Sequence, residues 1–234
     1  MKMRTTLGLL FALLWAGGTA PAGTIWYNGD FDNVDGTVSV RHGFGLLDID
    51  AYVYENVILT NSQTVTGIFG TFLYSGESPV GAEYEIRSGV STGDGGTLVA
   101  SGALSSGFSW TSFGVGFDSP SYGTLGVYRL DIGGLSVALE PGEYWVGLRP
   151  EALTGSDVVA LLGTTSGTNA IGTPPGNDGN SYLDSSLLGF TFDPANADFS
   201  VGITDVPEPS TLLLAGLGLL AAATARARSQ ARQR

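Results

Sequence analysis

"AEYEIRSG", residues 82–89, decides how the rest of the chain is read. Ala82, Tyr84 and Ile86 fall on one side of an extended strand, and Glu83, Glu85 and Arg87 on the other. Successive side chains of a strand point to opposite faces, so this period of two predicts a β-strand with one face on a core and one in water. "GVYRLDI" (126–132) repeats it, setting Tyr128, Leu130 and Ile132 against Arg129 and Asp131. "EYWVGLRP" (143–150) turns Tyr144, Val146 and Leu148 inward, and "DFSVGIT" (198–204) does the same with Phe199, Val201 and Ile203. Further candidate strands run through 37–41, 50–59, 64–74, 96–102, 108–117, 157–163 and 188–192. Helical periodicity is hard to find between them, and 36 of the 234 residues are glycine. About ten or eleven short strands divided by turn formers predict an all-β chain, a β-sandwich of jelly-roll-like kind. The apolar phase slips between Trp110 and Phe113, which predicts a bulge there. Residues 163–186, rich in Gly, Ser, Thr and Asn, read as a long exposed loop.

The ends belong to another grammar. Lys2 and Arg4 precede an apolar stretch from Leu7 to Ala16 and the small-residue site Ala20-Pro21-Ala22. This is the pattern of a secretory signal peptide over residues 1–22, with cleavage after Ala22. At the other end, Thr211 to Ala225 is an apolar run. As a helix it would span about 22 Å at about 1.5 Å per residue, a short transmembrane segment. Arg226, Arg228, Arg232 and Arg234 follow it, and the positive-inside rule keeps them cytoplasmic with the main domain across the membrane. Pro207 and Pro209 hold Glu208 in an extended, accessible stretch.

Between the ends, residues 23–205 form the predicted sandwich domain. With 21 acidic residues against Arg41, Arg87, Arg129 and Arg149, and no lysine, this stretch carries a formal −17. Nucleic acid is excluded as a partner on that balance. The chain has no cysteine, so neither disulfides nor thiolate metal sites support it, and the core must hold the fold alone.

Catalytic motifs are scarce. His42 is the only histidine, and no G-x-S-x-G elbow accompanies it, so it reads as a turn histidine. Carboxylates abound, but glycoside hydrolysis needs two of them facing a cleft, which no spacing here specifies. Calcium is the metal that the residue types suit: Asp30, Asp32 and Asp35, with Asn28, cluster ahead of Gly36 as hard oxygen donors. A second group, Asn177, Asp178, Asn180 and Asp184, has the same character. Ordinary solvated turns use the same residues. For sugars, Trp145 alternates onto the face opposite Tyr144 and Val146, where an exposed ring would stack on a glycan. The competing reading is that it covers the outer layer of the sandwich.

The tail "VPEPSTLLLAGLGLLAAATARARSQARQR" (206–234) resembles the PEP-CTERM sorting signal of Gram-negative bacteria, with the Pro207-Glu208-Pro209 motif, apolar span and basic stop in order. That resemblance implies a membrane-embedded exosortase that recognises the motif and removes or exchanges the tail. It also implies a bacterium that secretes exopolysaccharide. Within the domain, "YEIRSGVSTGDGGTLVASG" (84–102) and "LSVALEPGEYWVGL" (135–148) resemble the secreted choice-of-anchor modules. The implied protein is exported across the inner membrane, held transiently by its C-terminal helix, and delivered to the cell surface or matrix. Its implied role is structural or adhesive, associated with exopolysaccharide or biofilm, without catalysis and without an obligatory cofactor. Alternatives are a carbohydrate- or calcium-binding module and, third, an extracellular hydrolase.

Overall fold

The computed structural model describes residues 23–172, 177–185 and 187–205. The expected signal peptide (1–22) and the tail (206–234) lie outside the described residues. The tail's motif Pro207, Glu208 and Pro209, its helix 211–225, and Arg226, Arg228, Arg232 and Arg234 lie outside them too.

Among the described residues every regular element except one 3-10 turn (Gly45–Leu47) is a strand. In chain order these are β1 (Gly23–Tyr27), β2 (Phe31–Val38), β3 (Val40–Gly43), β4 (Ile49–Leu59), β5 (Gln63–Ser75), β6 (Gly81–Ser88) and β7 (Thr97–Leu104). Then follow β8 (Phe108–Ser119), β9 (Gly123–Leu139), β10 (Gly142–Glu151), β11 (Val159–Thr165), β12 (Ser181–Ser185), β13 (Phe190–Pro194) and β14 (Val201–Asp205).

They form two open sheets of seven strands each. In sheet I the long β5 is central. One edge pairs along its length with β9, which carries β8 outside it. Its other edge is shared: β14 takes Val65 to Gly70 and β11 takes Phe72 to Ser75. In sheet II the order is β13, β12, β4, β10, β6, β7, with β3 wedged between the start of β4 and the end of β10. The inward sets predicted by alternation meet between the sheets. Ile68, Phe72, Leu130, Ile132, Leu162, Val201 and Ile203 from sheet I pack with Val53, Val57, Ile86, Val146 and Leu148 from sheet II in one buried cluster. The result is a β-sandwich.

One residue stitches the layers together. The chain passes from β2 in sheet I to β3 in sheet II at Ser39, which is wholly buried. Its N–H donates to the Ala160 carbonyl of β11 (3.1 Å). Its hydroxyl donates to the Leu148 carbonyl of β10 (3.0 Å) and accepts the Val53 N–H of β4 (3.3 Å). A crossing strand leaves its polar backbone neighbours without ladder partners, and a serine is small enough to serve them inside the core.

The bulge expected in β8 is present: its register against β9 shifts between Ser112 and Gly116. Gly114 takes φ +71 there, a left-handed conformation that glycine adopts without strain. The expected loop 163–186 is corrected. Its first residues end β11, Ile171 exchanges both backbone hydrogen bonds with Tyr27, and residues 181–185 form β12 beside β4. The apolar content of "SYLDS" is low, but Leu183 is buried on the core side and Tyr182 lies on the other, so period two operates within polar residues.

Replacing Ser39 by alanine strands two buried backbone groups, which costs about 1–3 kcal/mol. Urea denaturation should show that loss, whereas Ser105→Ala at an exposed turn should leave stability within about 0.5 kcal/mol.

Candidate functional site

The outer face of sheet II holds the densest collection of chemistry-bearing side chains. β4 contributes Asp50, Tyr52, Tyr54 and Asn56, β6 contributes Glu83, Glu85 and Arg87, and β10 contributes Glu143, Trp145 and Arg149. β12 adds Tyr182 and Asp184. Register places Arg149 opposite Glu83, Trp145 between Arg87 and Asn56, and Gly147 between Tyr54 and Glu85. Gly147 matters for its missing side chain: a Cβ there would come within 2.9 Å of the Tyr54 ring and 3.1 Å of the Tyr52 ring. The two tyrosines therefore lie across β10, their centroids 5.4 Å apart, with Phe192 of β13 5.3 Å beyond Tyr54.

This face was expected to be wet, and it is not. Glu83 and Arg149 are each only 5 % exposed. Arg149 Nε and Nη2 both donate to Glu83 Oε2, at 2.9 and 2.6 Å, and Nη1 reaches the Asp50 carboxylate. Arg41 takes the other Glu83 oxygen. The Arg149 guanidinium sits 3.9 Å from the Tyr52 ring centroid. Burial alone would raise the Glu83 carboxyl, but the hydrogen bonds and charges of Arg149 and Arg41 outweigh it and hold it below the ordinary glutamate value. Beside this group, Arg87 Nε donates to Glu85 (2.6 Å), the Tyr54 hydroxyl donates to the same carboxylate (2.8 Å), and the guanidinium lies over Tyr54 and Phe192. Burial first, and the neighbouring Glu85 carboxylate second, push the Tyr54 phenol well above its usual range. Burial raises the Asp184 carboxyl at the edge of the face.

At the far end of the face the charges are of one sign. Asn56 Nδ2 donates to Glu143 Oε1 (3.0 Å) and Asp178 Oδ2 (3.2 Å), and Asn180 Nδ2 donates to the same Glu143 oxygen (2.9 Å). Asn56 is wholly buried, and its Oδ1 has no hydrogen-bond partner.

Trp145 lies on the outer face as its alternation requires, but the expectation of an exposed stacking ring is corrected. It is 5 % exposed, its Nε1 donates to the Asn180 carbonyl (3.2 Å), and Tyr182 packs edge-on against it. The cause is β12, which sequence patterning had placed in a loop and which lies alongside β4 instead. The calcium ligands expected at Asp30, Asp32 and Asp35 do not converge either. No group of three His, Cys, Asp or Glu side chains among the described residues is placed to hold a metal ion. Between Phe31 and Gly36 the register of β2 against β11 shifts, and each carboxylate finds its own donors in the swelling. Asp30 accepts from Tyr27 and Asn169, Asp32 from the Val34 N–H and Thr164, and Asp35 from the Gly36 N–H. His42, expected in a turn, lies instead within β3, where it takes a left-handed φ at the register shift between Arg41 and Gly43; its Nδ1 is 2.9 Å from Asp48 and its other nitrogen accepts Arg41 Nε.

Sequence reading missed Glu55. It points into the sandwich at 0 % exposure, and its Oε2 accepts the Phe199 N–H at 2.6 Å. Alternation carried the signal, since Glu55 shares the parity of Val53 and Val57. Burial drives its carboxyl well above the ordinary value, against the Phe199 hydrogen bond and with help from Asp198 and Asp178. A folded-state pKa above the unfolded one means the folded protein holds the proton more tightly. The destabilisation by Glu55 is therefore absent below about pH 4.3 and grows as pH rises from there through the folded value. Glu55→Gln should keep the acceptor for Phe199 and remove that term. The stability difference between variant and wild type, measured by urea denaturation across pH, should widen in the variant's favour from acid to neutral; a difference independent of pH would refute the buried-proton assignment.

Arg149→Ala should cost about 3–5 kcal/mol, because it leaves Glu83 buried without its main partner. Adding Glu83→Gln should recover a large part of that loss, which a double-mutant cycle by denaturation measures.

Comparison with known families matches residues 205–229 to the PEP-CTERM protein-sorting motif. No curated protein and no solved structure matches the chain. The motif indicates an exported protein that is anchored in the membrane by its C-terminus and then processed by an exosortase.

Proposed function

We propose that this exosortase-sorted chain delivers a non-catalytic β-sandwich to the cell surface or extracellular matrix, where it serves a structural or adhesive role among exported polysaccharides. The observation that carries the proposal is the sorting motif beginning at residue 205, the last residue of β14. The arrangement of sheet II supports the non-catalytic reading. Glu83, the most buried carboxylate of its outer face, is clamped by two guanidinium groups and held below the ordinary value, the opposite of what a general acid requires. A glycan-binding role is the second reading; with Trp145 covered, it would rest on half-exposed rings such as Phe113 and Tyr122 rather than on the tryptophan.

Exported protein should lack the apolar run and the arginines, and Glu208→Ala should leave an unprocessed form in the inner membrane. Mass spectrometry of surface material that still contains Arg226 to Arg234 would refute the sorting part. Incubation with matrix polysaccharides tests the rest: release of new reducing ends would overturn the non-catalytic assignment.

A further inference from the structure

We infer that the side of the sandwich bounded by β7 and β8 pairs, strand edge to strand edge, with the same side of a second copy of this chain. β7 ends sheet II and β8 ends sheet I. The two follow each other in the chain. Ala100 and Leu104 of β7 pack on the same buried cluster as Phe108 and Trp110 of β8, so both edges border one side. Among the described residues β7 pairs only with β6 and β8 only with β9, which leaves a row of backbone N–H and C=O groups open along each. Each strand has a register shift, but 100–104 and 108–112 stay regular, five residues apiece, the usual length of a pairing strand.

The distribution of charge is a second, independent observation. In a domain of formal −17, residues 95–117 contain no charged side chain. This is the longest such stretch between 23 and 205, and it covers β7 whole and β8 as far as Phe117. The other edges are guarded in the ways that prevent strand addition. β2 carries Asp32, Asp35 and a register shift, and β13 carries Asp193 and ends on Pro194. The last residue of the five-residue β1 is bridged to Ile171. Over 95–117 the β7–β8 side has neither charge nor proline, and it exposes Leu98, Val99, Phe113 and Val115 instead.

Charge and symmetry select the occupant. An open edge accepts any extended strand. A basic partner finds no counter-charge here and is drawn to the acidic remainder of the domain, while an acidic partner is repelled by it. A second copy brings the same uncharged stretch, so no like charges stand opposite one another in the contact. One two-fold axis normal to the layers runs β8 antiparallel to its copy and β7 antiparallel to its copy, continuing both sheets at once. Such a contact is self-complementary and closes as a dimer. The inference does not depend on the role proposed above, since it concerns only the edges of the domain.

Sedimentation of the full chain in detergent should show a monomer–dimer equilibrium whose dimer fraction grows with protein concentration. It should also grow with salt, because screening weakens the repulsion between two acidic domains and leaves the edge hydrogen bonds in place. An interface built on ion pairs responds in the opposite sense. Ser101→Asp with Ser109→Asp, exposed on β7 and β8, should abolish the dimer with circular dichroism unchanged. Thr60→Asp with Asn61→Asp adds the same charge at the exposed turn between β4 and β5 and should leave the dimer intact. The chain has no cysteine, so a single introduced one reports directly on contact with a copy. On exporting cells under mild oxidant, at least one of Ser101→Cys, Ser109→Cys and Thr111→Cys should give a disulfide-linked dimer, and Asn61→Cys should not. The inference is overturned if wild type stays monomeric at every concentration, if the Ser101/Ser109 variant dimerises as well as wild type, or if Asn61→Cys couples as readily as the edge positions. Edge cysteines that couple only to other exported proteins would assign the edges to a foreign strand and overturn it as well.

Discussion

The ion pair between Arg149 and Glu83 is the constraint around which sheet II is arranged. It bonds neighbouring strands β10 and β6 side chain to side chain, reaches β4 through Asp50 and the Tyr52 ring, and draws Arg41 in from β3. A buried pair of this kind contributes little net stability, because desolvating both ions consumes most of the Coulombic gain. Its effect is on specificity. A one-residue slip of β10 against β6 would leave a buried arginine and a buried glutamate apart, an arrangement several kcal/mol worse than the native register.

The arginines are used with the same economy elsewhere. Arg87 lies over Tyr54 and Phe192 while bonding Glu85, and Arg129 lies 3.8 Å over Phe69 while bonding Asp131. Each guanidinium thus joins an aromatic face to a carboxylate, the dual role that its planar, weakly hydrated head permits and a lysine ammonium would not. Because the four arginines of the domain are all paired within it, most of the remaining carboxylates, the buried Glu55 apart, face solvent without counter-charge. An exported domain of this kind stays soluble, and it meets cations rather than anions.

The connection of the domain to its tail follows from topology. β14 is an interior strand, paired with β5 on one side and β1 on the other, and its Val201 and Ile203, with Phe199 just before it, are wholly buried. The chain therefore leaves the sandwich from a locked strand.

Much of the architecture was legible in the sequence. Period two in β6, β9, β10 and β14 named the inward residues correctly, and the phase slip after Trp110 located the β8 bulge. Alternation is a local property, set by the backbone pleat, so a single strand reveals it. The sorting tail was equally legible, because a contiguous motif, an apolar span and a basic stop need no fold to bring them together. What sequence could not determine was which faces are covered. Glu83, Glu85 and Arg87 alternate like solvent residues, yet the rings of Tyr52, Tyr54 and Phe192 pack among them and their arginine partners, and Trp145 is covered by Tyr182 and the Asn180 carbonyl. Asp30, Asp32 and Asp35 look gathered in the chain, yet local donors hold them apart. Asn56, Glu143, Asp178 and Asn180, scattered over more than a hundred residues, are drawn together only by the pairing of β4 with β10 and β12. Covering a face and assembling a site both depend on contacts between distant segments, and those contacts are decided by the tertiary structure.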